Sequence, residues 1–246
     1  MGELIAVLSG KGGTGKTSLC AALASALATM DQRVLCIDCD IGLRNLDISL
    51  GMSDSGAISF MDVIAGRYPL EQAATHGTFT RLSFLTAPVN CSAEQIPTRE
   101  FSALLRQARQ KFDYVFLDAP AGIDAGFRLC AANADRVIIV TGSDPASMRD
   151  ARRAGELLEL QGKQNVRLIV NRVRPKLFSE LKLTVDDVMD QTGLPLLGIV
   201  PEDVAVIMAA TYGKPLLAYT KKGAAAACSR IAKRIQGQSV RIADHL

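Results

Sequence analysis

Short apolar runs alternate along the chain with longer segments that carry apolar residues at helical spacing. An apolar run of about four to eight residues between polar or turn-forming residues is typical of a buried strand. We predict strands at 4–8, 34–37, 82–85, 114–117, 137–140, 167–170 and 196–200. We predict helices at 19–30, 59–65, 100–109, 126–132, 146–160, 185–191 and 224–235. Buried strands that alternate with helices indicate a three-layer α/β fold, in which helices flank a mostly parallel, twisted sheet.

Length and hydrophobicity fit one large α/β domain. The chain has 246 residues, of which 48% are hydrophobic, and this length can bury a sizeable core. The apolar runs are all shorter than the roughly 18–20 residues of a membrane span. The first strand begins close to residue 1, which leaves no room for a signal peptide, so we expect a cytoplasmic protein. We place one domain over 1–237 and a C-terminal tail over 238–246.

The most informative segment lies between the first predicted strand and the first predicted helix. It reads Gly10-Lys11-Gly12-Gly13-Thr14-Gly15-Lys16-Thr17-Ser18. The sequence G-x-x-x-x-G-K-T at such a turn is the pattern of a phosphate-binding loop, whose backbone N–H groups and helix N-terminus bind a polyphosphate. We therefore expect a P-loop NTPase fold. Lys16 is expected to contact the β- and γ-phosphates, and the Thr17 hydroxyl to ligate Mg²⁺.

Carboxylates follow two of the predicted strands. Asp38 and Asp40 lie at the end of the second strand, and because residues two apart in a strand share a face, both can point towards the phosphate loop. Asp118 ends the strand at 114–117, which is the Walker B arrangement that places a carboxylate near Mg²⁺. A buried aspartate needs a neighbouring cation, and Lys16 and Mg²⁺ are the expected ones.

Lys11 is not needed to hold phosphates within its own subunit. The loop K-G-G-T-G-K-T that begins with it, the sequence D-C-D-I-G-L-R-N-L-D at 38–47 and the sequence D-A-P-A-G-I at 118–123 resemble the nucleotide motifs of the MinD/ParA family of dimerising ATPases. The likeness extends from residue 4 to about residue 235. The sequence G-L-R-N at 42–45 favours the MinD branch of the family over the ParA branch.

The resemblance implies the catalytic roles. Lys11 is expected to cross a dimer interface to the partner's nucleotide, while Lys16 holds the phosphates of its own subunit. Asp40 is expected to position or activate the attacking water. Asn45 would help to hold that water or the γ-phosphate. The N–H of Gly122, in the second switch segment, would contact the γ-phosphate and so couple the position of that segment to ATP or ADP.

The resemblance also implies ATP or ADP and Mg²⁺ as cofactors. The metal would be held by Thr17 and Asp118, with Asp38 supporting its hydration shell. The phosphates would lie against the loop from Gly10 to Ser18.

Adenine recognition is expected where two later strands end. An asparagine amide accepts and donates hydrogen bonds at once, as the edge of adenine requires, so Asn171 of the pair Asn171-Arg172 is the expected base-reading residue. By resemblance, the backbone of Pro201, Glu202 and Asp203 completes the pocket. A simple helix start, with acidic residues near the positive end of the helix dipole, is compatible with the same residues.

The resemblance implies a homodimer that forms with ATP, hydrolyses it, and takes part in the placement of the division septum. Division-regulator proteins would then bind near the dimer face, for which the charged start of the helix at 146–160 is a candidate. Three alternatives stay open. They are a ParA-like or FlhG-like ATPase that positions DNA or flagella, a reductase like the nitrogenase iron protein, and a regulator that binds nucleotide but barely hydrolyses it. The scattered cysteines disfavour the reductase.

Charge and the C-terminal sequence bear on membranes and nucleic acid. Residues 220–246 carry six Lys or Arg and one Asp, a charge of +5, whereas the whole chain has a net charge of +3. Nucleic acid is therefore an unlikely partner for the body of the chain. A basic tail is attracted to anionic lipid, but a stable anchor requires more buried apolar area than 240–246 offers. We expect weak peripheral contact with the inner face of the cell membrane, or none.

Cysteine and histidine give no sign of further chemistry. Cys36 and Cys39 have C-x-x-C spacing but lack a second pair at zinc-finger spacing. We expect the cysteines to pack as small apolar side chains. His76 lies in a polar stretch and is expected to be a solvated surface residue.

Overall fold

The computed structural model describes residues 1–89 and 91–242. The strands are β1 (Glu3–Leu8), β2 (Val34–Asp38), β3 (Ala74–Thr75), β4 (Leu82–Leu85), β5 (Tyr114–Asp118), β6 (Arg136–Thr141), β7 (Val166–Val173) and β8 (Leu196–Pro201). The α-helices are α1 (Lys16–Thr29), α2 (Leu46–Leu50), α3 (Phe60–Ile64), α4 (Thr98–Lys111), α5 (Ala125–Asn133), α6 (Pro145–Leu160), α7 (Pro175–Glu180), α8 (Val185–Thr192), α9 (Val204–Thr211), α10 (Leu216–Tyr219) and α11 (Gly223–Ile235). Short 3₁₀ turns lie at Leu70–Gln72 and Ala93–Gln95.

The strands form one sheet in the order β3-β4-β2-β5-β1-β6-β7-β8. All neighbouring strands pair in parallel except β3 and β4, which pair antiparallel at one edge. The predicted three-layer fold with a mostly parallel sheet is confirmed, and so are the seven predicted strands. The two-residue strand β3 was not predicted, because a pair of small residues carries no recognisable pattern.

The central strand β1 separates two apolar layers. Because side chains alternate along a strand, Leu4, Ala6 and Leu8 pack into one layer with α4, α5 and α6. Ile5 and Val7 pack into the other layer with α1 and α11. Helices α1 and α11 pack against each other on this side of the sheet, and the many alanines of α1 allow this close packing. The residues of α1 from Leu19 to Ala28 are all buried.

Four helices were missed in the sequence, namely α2, α7, α9 and α10. Three of them have only four to six residues, which is too short for a periodic pattern. Helix α9 reads V-A-V-I-M-A-A-T and is apolar on every side, so it shows no helical alternation. The missed helices are therefore those whose sequence pattern carried the least information.

The prediction that His76 is solvated is wrong. The side chain is buried, and its Nδ1 accepts the N–H groups of Thr78 (2.9 Å) and Phe79 (3.0 Å). The proton must then lie on Nε2, which donates to the carbonyl oxygen of Leu50 at 2.9 Å. The imidazole thus joins the end of α2 to the turn before β4, and polar neighbours in the sequence gave no sign of this.

The remaining expectations concern cysteines and membrane spans. All six cysteines are free, and five of them are fully buried while Cys91 is half-buried. The predicted packing role agrees with this placement. Within residues 1–89 and 91–242, the helices are too short or too polar to cross a bilayer.

We predict that His76 makes the fold acid-sensitive. Burial lowers the pKa of His76 in the folded protein. The unfolded chain therefore binds the proton more tightly, and the folded state loses stability as the pH falls below about 6.5. Between about pH 7.5 and pH 5.5 the Tm should fall by about 2–4 °C more in the native chain than in His76→Gln. Calorimetric melting curves check this, and the same pH dependence in both proteins would contradict it.

Candidate functional site

The candidate site lies at the carboxyl edge of the sheet. Parallel neighbours β1, β2 and β5 end side by side there, so the loops that follow them meet at one place, as ligand sites of such sheets do. The loop from Gly10 to Gly15 follows β1 and leads into α1. The segment 39–45 follows β2, and the segment 119–124 follows β5. We call these two segments the first and the second switch.

Two glycines of the loop are required by what surrounds them. A Cβ on Gly10 would lie 2.4 Å from the carbonyl oxygen of Asp150, in the first turns of α6. Gly15 has a φ of 83°, and a Cβ there would lie 2.4 Å from Nδ2 of Asn171. The loop is therefore held between α6 and the end of β7, and only glycine fits at these two positions.

Lys16 begins α1 and reaches the end of β5. Its Nζ lies 3.1 Å from Oδ1 of Asp118, and the two side chains are 6% and 1% exposed. Burial acts to lower the pKa of Lys16, but the Asp118 carboxylate outweighs burial and raises it. Lys16 is thus held protonated. The pair compensates two charges that would each be costly to bury alone.

Oxygen atoms that suit Mg²⁺ surround this ion pair. The Oδ2 atom of Asp118 is buried without a hydrogen-bond partner, and the Thr17 hydroxyl accepts a hydrogen bond of 3.5 Å from the Lys16 ammonium. Asp38 lies opposite Asp118 in the register of β2 and β5. Mg²⁺ prefers such oxygen ligands and is usually held by one or two carboxylates together with substrate phosphates. The residues therefore fit a magnesium ion that binds with a nucleotide.

Asp38 organises the first switch. Its Oδ1 accepts the N–H of Asp40 at 2.9 Å, and its Oδ2 accepts the N–H of Leu46 at 3.3 Å. Burial, followed by the charge of Asp118, raises the pKa of Asp38 to about 7. Two carboxylates this close repel each other, so a cation between them would favour the ionised form of both.

The rest of the first switch is more exposed. Asp40 is half-buried and Asn45 is exposed. Arg44, which sequence reasoning did not select, has a φ of 49°. Its guanidinium donates two hydrogen bonds, of 2.9 and 3.2 Å, to the Thr86 hydroxyl. The switch is therefore fixed at Asp38 and at Arg44, while Asn45 is exposed and Asp40 is partly exposed.

The second switch contacts the start of the phosphate loop. Gly122 has a φ of 94°, and its N–H donates to the carbonyl oxygen of Ser9 at 3.1 Å. This N–H is thus paired within the protein. The predicted contact between Gly122 and a γ-phosphate would require that hydrogen bond to be exchanged.

Lys11 points away from the other charged residues of the site. Its side chain is 46% exposed, and its Nζ lies 3.6 Å from Oδ1 of Asp144, which is also exposed. Exposed ion pairs of this kind stabilise a protein by about 0–1 kcal/mol. The side chain can therefore leave Asp144 at little cost.

A cavity of about 190 Å³ adjoins the loop beside Gly15. It is lined by Ser18, Leu19, Ala22, Asn171, Arg172, Val200, Pro201, Glu202, Asp203, Val206, Ile207, Leu216, Ala224 and Cys228. Most of the walls are apolar and come from α1, α9, α10 and α11, while the strand ends supply a polar edge. Such a cavity suits a planar, partly polar group such as a nucleobase.

Asn171 lies at the polar edge of this cavity. It is buried, and its Nδ2 donates to the carbonyl oxygen of Thr14 at 2.8 Å. This bond fixes the amide and leaves Oδ1 and one N–H for a base. Arg172 is exposed, with a φ of 55°. The Glu202 carboxylate pairs with Arg174, with 2.9 Å between Oε1 and Nη2.

Asp203 caps two helices at once. Its Oδ1 accepts the N–H of Ala205 in α9, and its Oδ2 accepts the N–H of Ala224 in α11, both at 2.9 Å. Gly223 has a φ of 54°, and a Cβ there would lie 2.1 Å from Oδ2. We call this arrangement the double cap. The side chain of Asp203 is thus engaged with the protein, which leaves the backbone of the segment for a base.

Comparison with known proteins bears directly on this geometry. A family model described as the CobQ/CobB/MinD/ParA nucleotide binding domain matches residues 5–216. The chain belongs to this family. The resemblance that the motifs indicated is therefore confirmed, and the phosphate loop lies within the matched nucleotide-binding domain.

The relatives cover the chain over nearly its whole length. The septum site-determining protein MinD of Synechocystis sp. is 38% identical, and the match covers 100% of this chain and 94% of the relative. The protein of the same name from Bacillus subtilis is 37% identical and is matched over 98% of this chain and 91% of its own length.

Solved structures show the same architecture. The structure of the MinC:MinD cell division protein complex of Aquifex aeolicus has a TM-score of 0.91 and 33% identity, over 99% of both chains. The septum site-determining protein MinD of Pyrococcus horikoshii, complexed with Mg-ADP, has a TM-score of 0.83 and 28% identity, over 96% of both chains.

We predict that the double cap supports the base cavity. Asp203→Ala removes two helix caps, which should lower the free energy of unfolding by about 1–3 kcal/mol. It should also weaken nucleotide binding, because α9 and α11 both line the cavity. Denaturant unfolding and titration with a fluorescent ADP analogue check the two effects.

A matched control is available in Asp124. This residue stands at the N-cap of α5, but its side chain makes no capping hydrogen bond, so Asp124→Ala should change stability much less. Equal losses of stability in the two variants would contradict the role of the double cap.

Proposed function

We propose that this chain hydrolyses ATP to ADP and phosphate with Mg²⁺, and that hydrolysis controls its own dimerisation during placement of the division septum. The observation that carries the proposal is a phosphate loop whose two lysines face different surroundings. Lys16 is buried against Asp118, whereas Lys11 is exposed beside Asp144. The first can act within its own subunit and the second can act on another. The relatives named septum site-determining protein MinD supply the cellular role.

Nucleotide binding replaces contacts that the protein makes with itself. The Lys16 ammonium moves from Asp118 to the β- and γ-phosphates, while the loop N–H groups and the N-terminus of α1 bind the remaining oxygens. Thr17 and Asp118, with Asp38 beside them, would hold Mg²⁺, which would neutralise charge at the phosphates when bound. Asn171 and the backbone of 201–203 bind the adenine.

Hydrolysis then depends on positioning rather than on covalent chemistry. Asp40 orients a water molecule towards the γ-phosphate, and Asn45 helps to hold it. Lys11 of the partner subunit completes the positive charge around the phosphate. Because a cation supplied across an interface can accelerate phosphoryl transfer by about 10³–10⁵-fold, the monomer is expected to be slow. ATP therefore favours the dimer, and its hydrolysis releases it.

The surface next to the loop suits protein partners. Helix α6 begins against Gly10 and exposes Arg149, Arg152 and Arg153. A dimer formed through the loops would place two such basic surfaces close together. Division-regulator proteins are proposed to bind there, and the MinC:MinD complex of Aquifex aeolicus is a related assembly.

Weak peripheral contact with the cell membrane is part of the proposal. The basic C-terminal sequence supplies the attraction to anionic lipid. Its first part is held to the body, because Arg234 in α11 donates two hydrogen bonds, of 2.8 and 2.7 Å, to the carbonyl oxygen of Val240. Residues 243–246 of the predicted tail lie outside the described residues.

The first test removes the exposed lysine. Lys11→Ala should keep nucleotide binding, since Lys11 makes no contact with Lys16 or Asp118, but it should lose ATP-dependent dimerisation and at least about 100-fold in turnover. Lys16→Ala is the contrasting variant and should lose nucleotide binding itself. Unchanged dimerisation and turnover in Lys11→Ala would contradict the proposed role of Lys11 across the dimer interface.

The second test separates binding from hydrolysis. Asp40→Ala should bind ATP and remain dimeric, because it cannot orient water while the phosphate contacts are intact. Light scattering with ATP and Mg²⁺ should then report twice the monomer mass of 26.3 kDa, and the monomer with ADP. Asp47→Ala, in the same stretch of chain, is the matched control and should hydrolyse ATP normally. Rapid hydrolysis by Asp40→Ala would rule out Asp40 as the water-positioning residue.

A further inference from the structure

One surface on the side of the sheet covered by α1 and α11 combines exposed apolar residues with exposed lysines. It consists of Val204, Ile207, Tyr212, Tyr219 and the lysines Lys214, Lys221 and Lys222. We call it the α9–α10 face. None of the roles proposed above uses this surface as a whole, although Ile207 also borders the base cavity.

Large apolar side chains protrude from this face. Val204 is 71% exposed, Ile207 68% and Tyr212 60%. Val204 and Ile207 lie one helical turn apart on α9, so they share a side of the helix. The rings of Tyr212 and Tyr219 stack with their centroids 6.0 Å apart, which joins the end of α9 to α10. Apolar residues clustered in this way, rather than scattered singly, mark an interaction surface.

The face lies in a part of the chain that has only one sign of charge. Residues 204–243 contain seven Lys or Arg and no Asp or Glu. Lys214, Lys221 and Lys222 are exposed next to the tyrosines. Asp203, just before this stretch, is occupied by the double cap. The face is therefore complementary to a negatively charged partner.

We propose that the α9–α10 face docks on an anionic lipid surface. Tyrosine favours the membrane–water interface because its ring is apolar and its hydroxyl stays hydrated. Lysines near such a surface are attracted to anionic headgroups. Val204 and Ile207 are the residues that enter the interfacial layer. This inference deepens the membrane contact proposed above, and it locates that contact on the folded body rather than on the tail.

Shape and residue type favour lipid over other anionic partners. The apolar residues project from a helix, whereas recognition of a partner helix or of a single nucleic acid strand uses a groove. The exposed cations are lysines, whose point charges suit a diffuse layer of headgroups. Recognition of one defined phosphate or carboxylate favours the planar, bidentate arginine.

The face is connected to the first switch through α2. Gly51 ends α2 and lies so close to the turn after α9 that a Cβ there would be 2.5 Å from the carbonyl oxygen of Gly213. At the start of α2, the N–H of Leu46 donates to Asp38. A shift of the switch between ATP and ADP therefore reaches the turn beside Tyr212 through one rigid five-residue helix. Lipid binding should depend on the nucleotide, a step that rests on the proposed ATPase function.

Sedimentation with vesicles tests the face directly. The full chain is mixed with vesicles of phosphatidylcholine, with or without phosphatidylglycerol, in the presence of Mg²⁺ and either ATP or ADP. The native chain should bind only the vesicles that contain phosphatidylglycerol. The double variant Lys214→Gln/Lys222→Gln should bind them about 30-fold more weakly, and Tyr212→Ser/Tyr219→Ser should also lose binding.

The matched control carries the same loss of charge elsewhere. Arg99 and Arg106 are exposed on α4, which packs on the opposite layer of the sheet. Arg99→Gln/Arg106→Gln should bind vesicles like the native chain. ATP turnover without lipid should be the same in all these variants, which separates a lost surface from a damaged nucleotide site.

A fluorescent reporter gives an independent readout, because the chain contains no Trp. Tyr212→Trp should shift its emission to the blue on vesicles that contain phosphatidylglycerol, and lipids brominated on their acyl chains should quench it. Leu160→Trp is the control, since Leu160 is 85% exposed at the end of α6, and its emission should not change.

The outcomes distinguish this inference from the broader proposal. Binding that persists in the α9–α10 variants but disappears when residues 238–246 are removed would overturn the inference and leave the membrane contact with the tail. An absence of binding to every vesicle, with either nucleotide, would overturn both, while the ATPase tests would stand. A shift of duplex or single-stranded DNA in a gel that is lost in the lysine variant would also overturn it, in favour of nucleic acid.

Discussion

The buried ion pair between Lys16 and Asp118 determines how the nucleotide edge is built. It joins the first turn of α1 to the last residue of β5, and so sets the distance between the phosphate loop and the second acidic strand end. Removing one partner of a buried pair leaves an uncompensated charge, at a cost of about 3–5 kcal/mol. A phosphate and its metal can relieve both partners together, because the first satisfies the lysine and the second the carboxylate. The pair thus holds the phosphate loop and the end of β5 at a fixed separation.

Other polar groups at this edge also have partners within the protein that a nucleotide would replace. Asp38 holds two N–H groups of the first switch but faces a second carboxylate. The N–H of Gly122 is paired with the carbonyl oxygen of Ser9. Lys16, Asp38 and the N–H of Gly122 therefore already have partners within the protein. Only modest rearrangement of hydrogen bonds separates the two states, which is what a switch driven by one phosphate group requires.

The sequence predicted most of the sheet and the residues of the phosphate loop, because both rest on strong local patterns. Apolar runs identified the strands, and G-x-x-x-x-G-K-T identified the loop. What it could not predict depends on contacts between distant segments. His76 is buried only because the end of α2 and the turn before β4 meet around it. In the sequence, Asp203 indicates only the start of a helix. In the structure, its second carboxylate oxygen also accepts the N–H of Ala224, which lies 21 residues later in α11. Arg44 likewise gains its partner, Thr86, from the residue just after β4.

Helix α9 shows how little of the chain separates the nucleotide from the surface. One side of this eight-residue helix lines the base cavity through Val206 and Ile207. Its N-terminus is fixed by Asp203, and the turn at its C-terminus lies against Gly51, at the end of the helix α2 that follows the first switch. A helix held at both ends cannot shift at one end without moving the other, since packed elements move as rigid bodies. The base cavity, the end of α2 and the exposed α9–α10 face therefore all contact one small element, and this element is the route by which we propose that they influence one another.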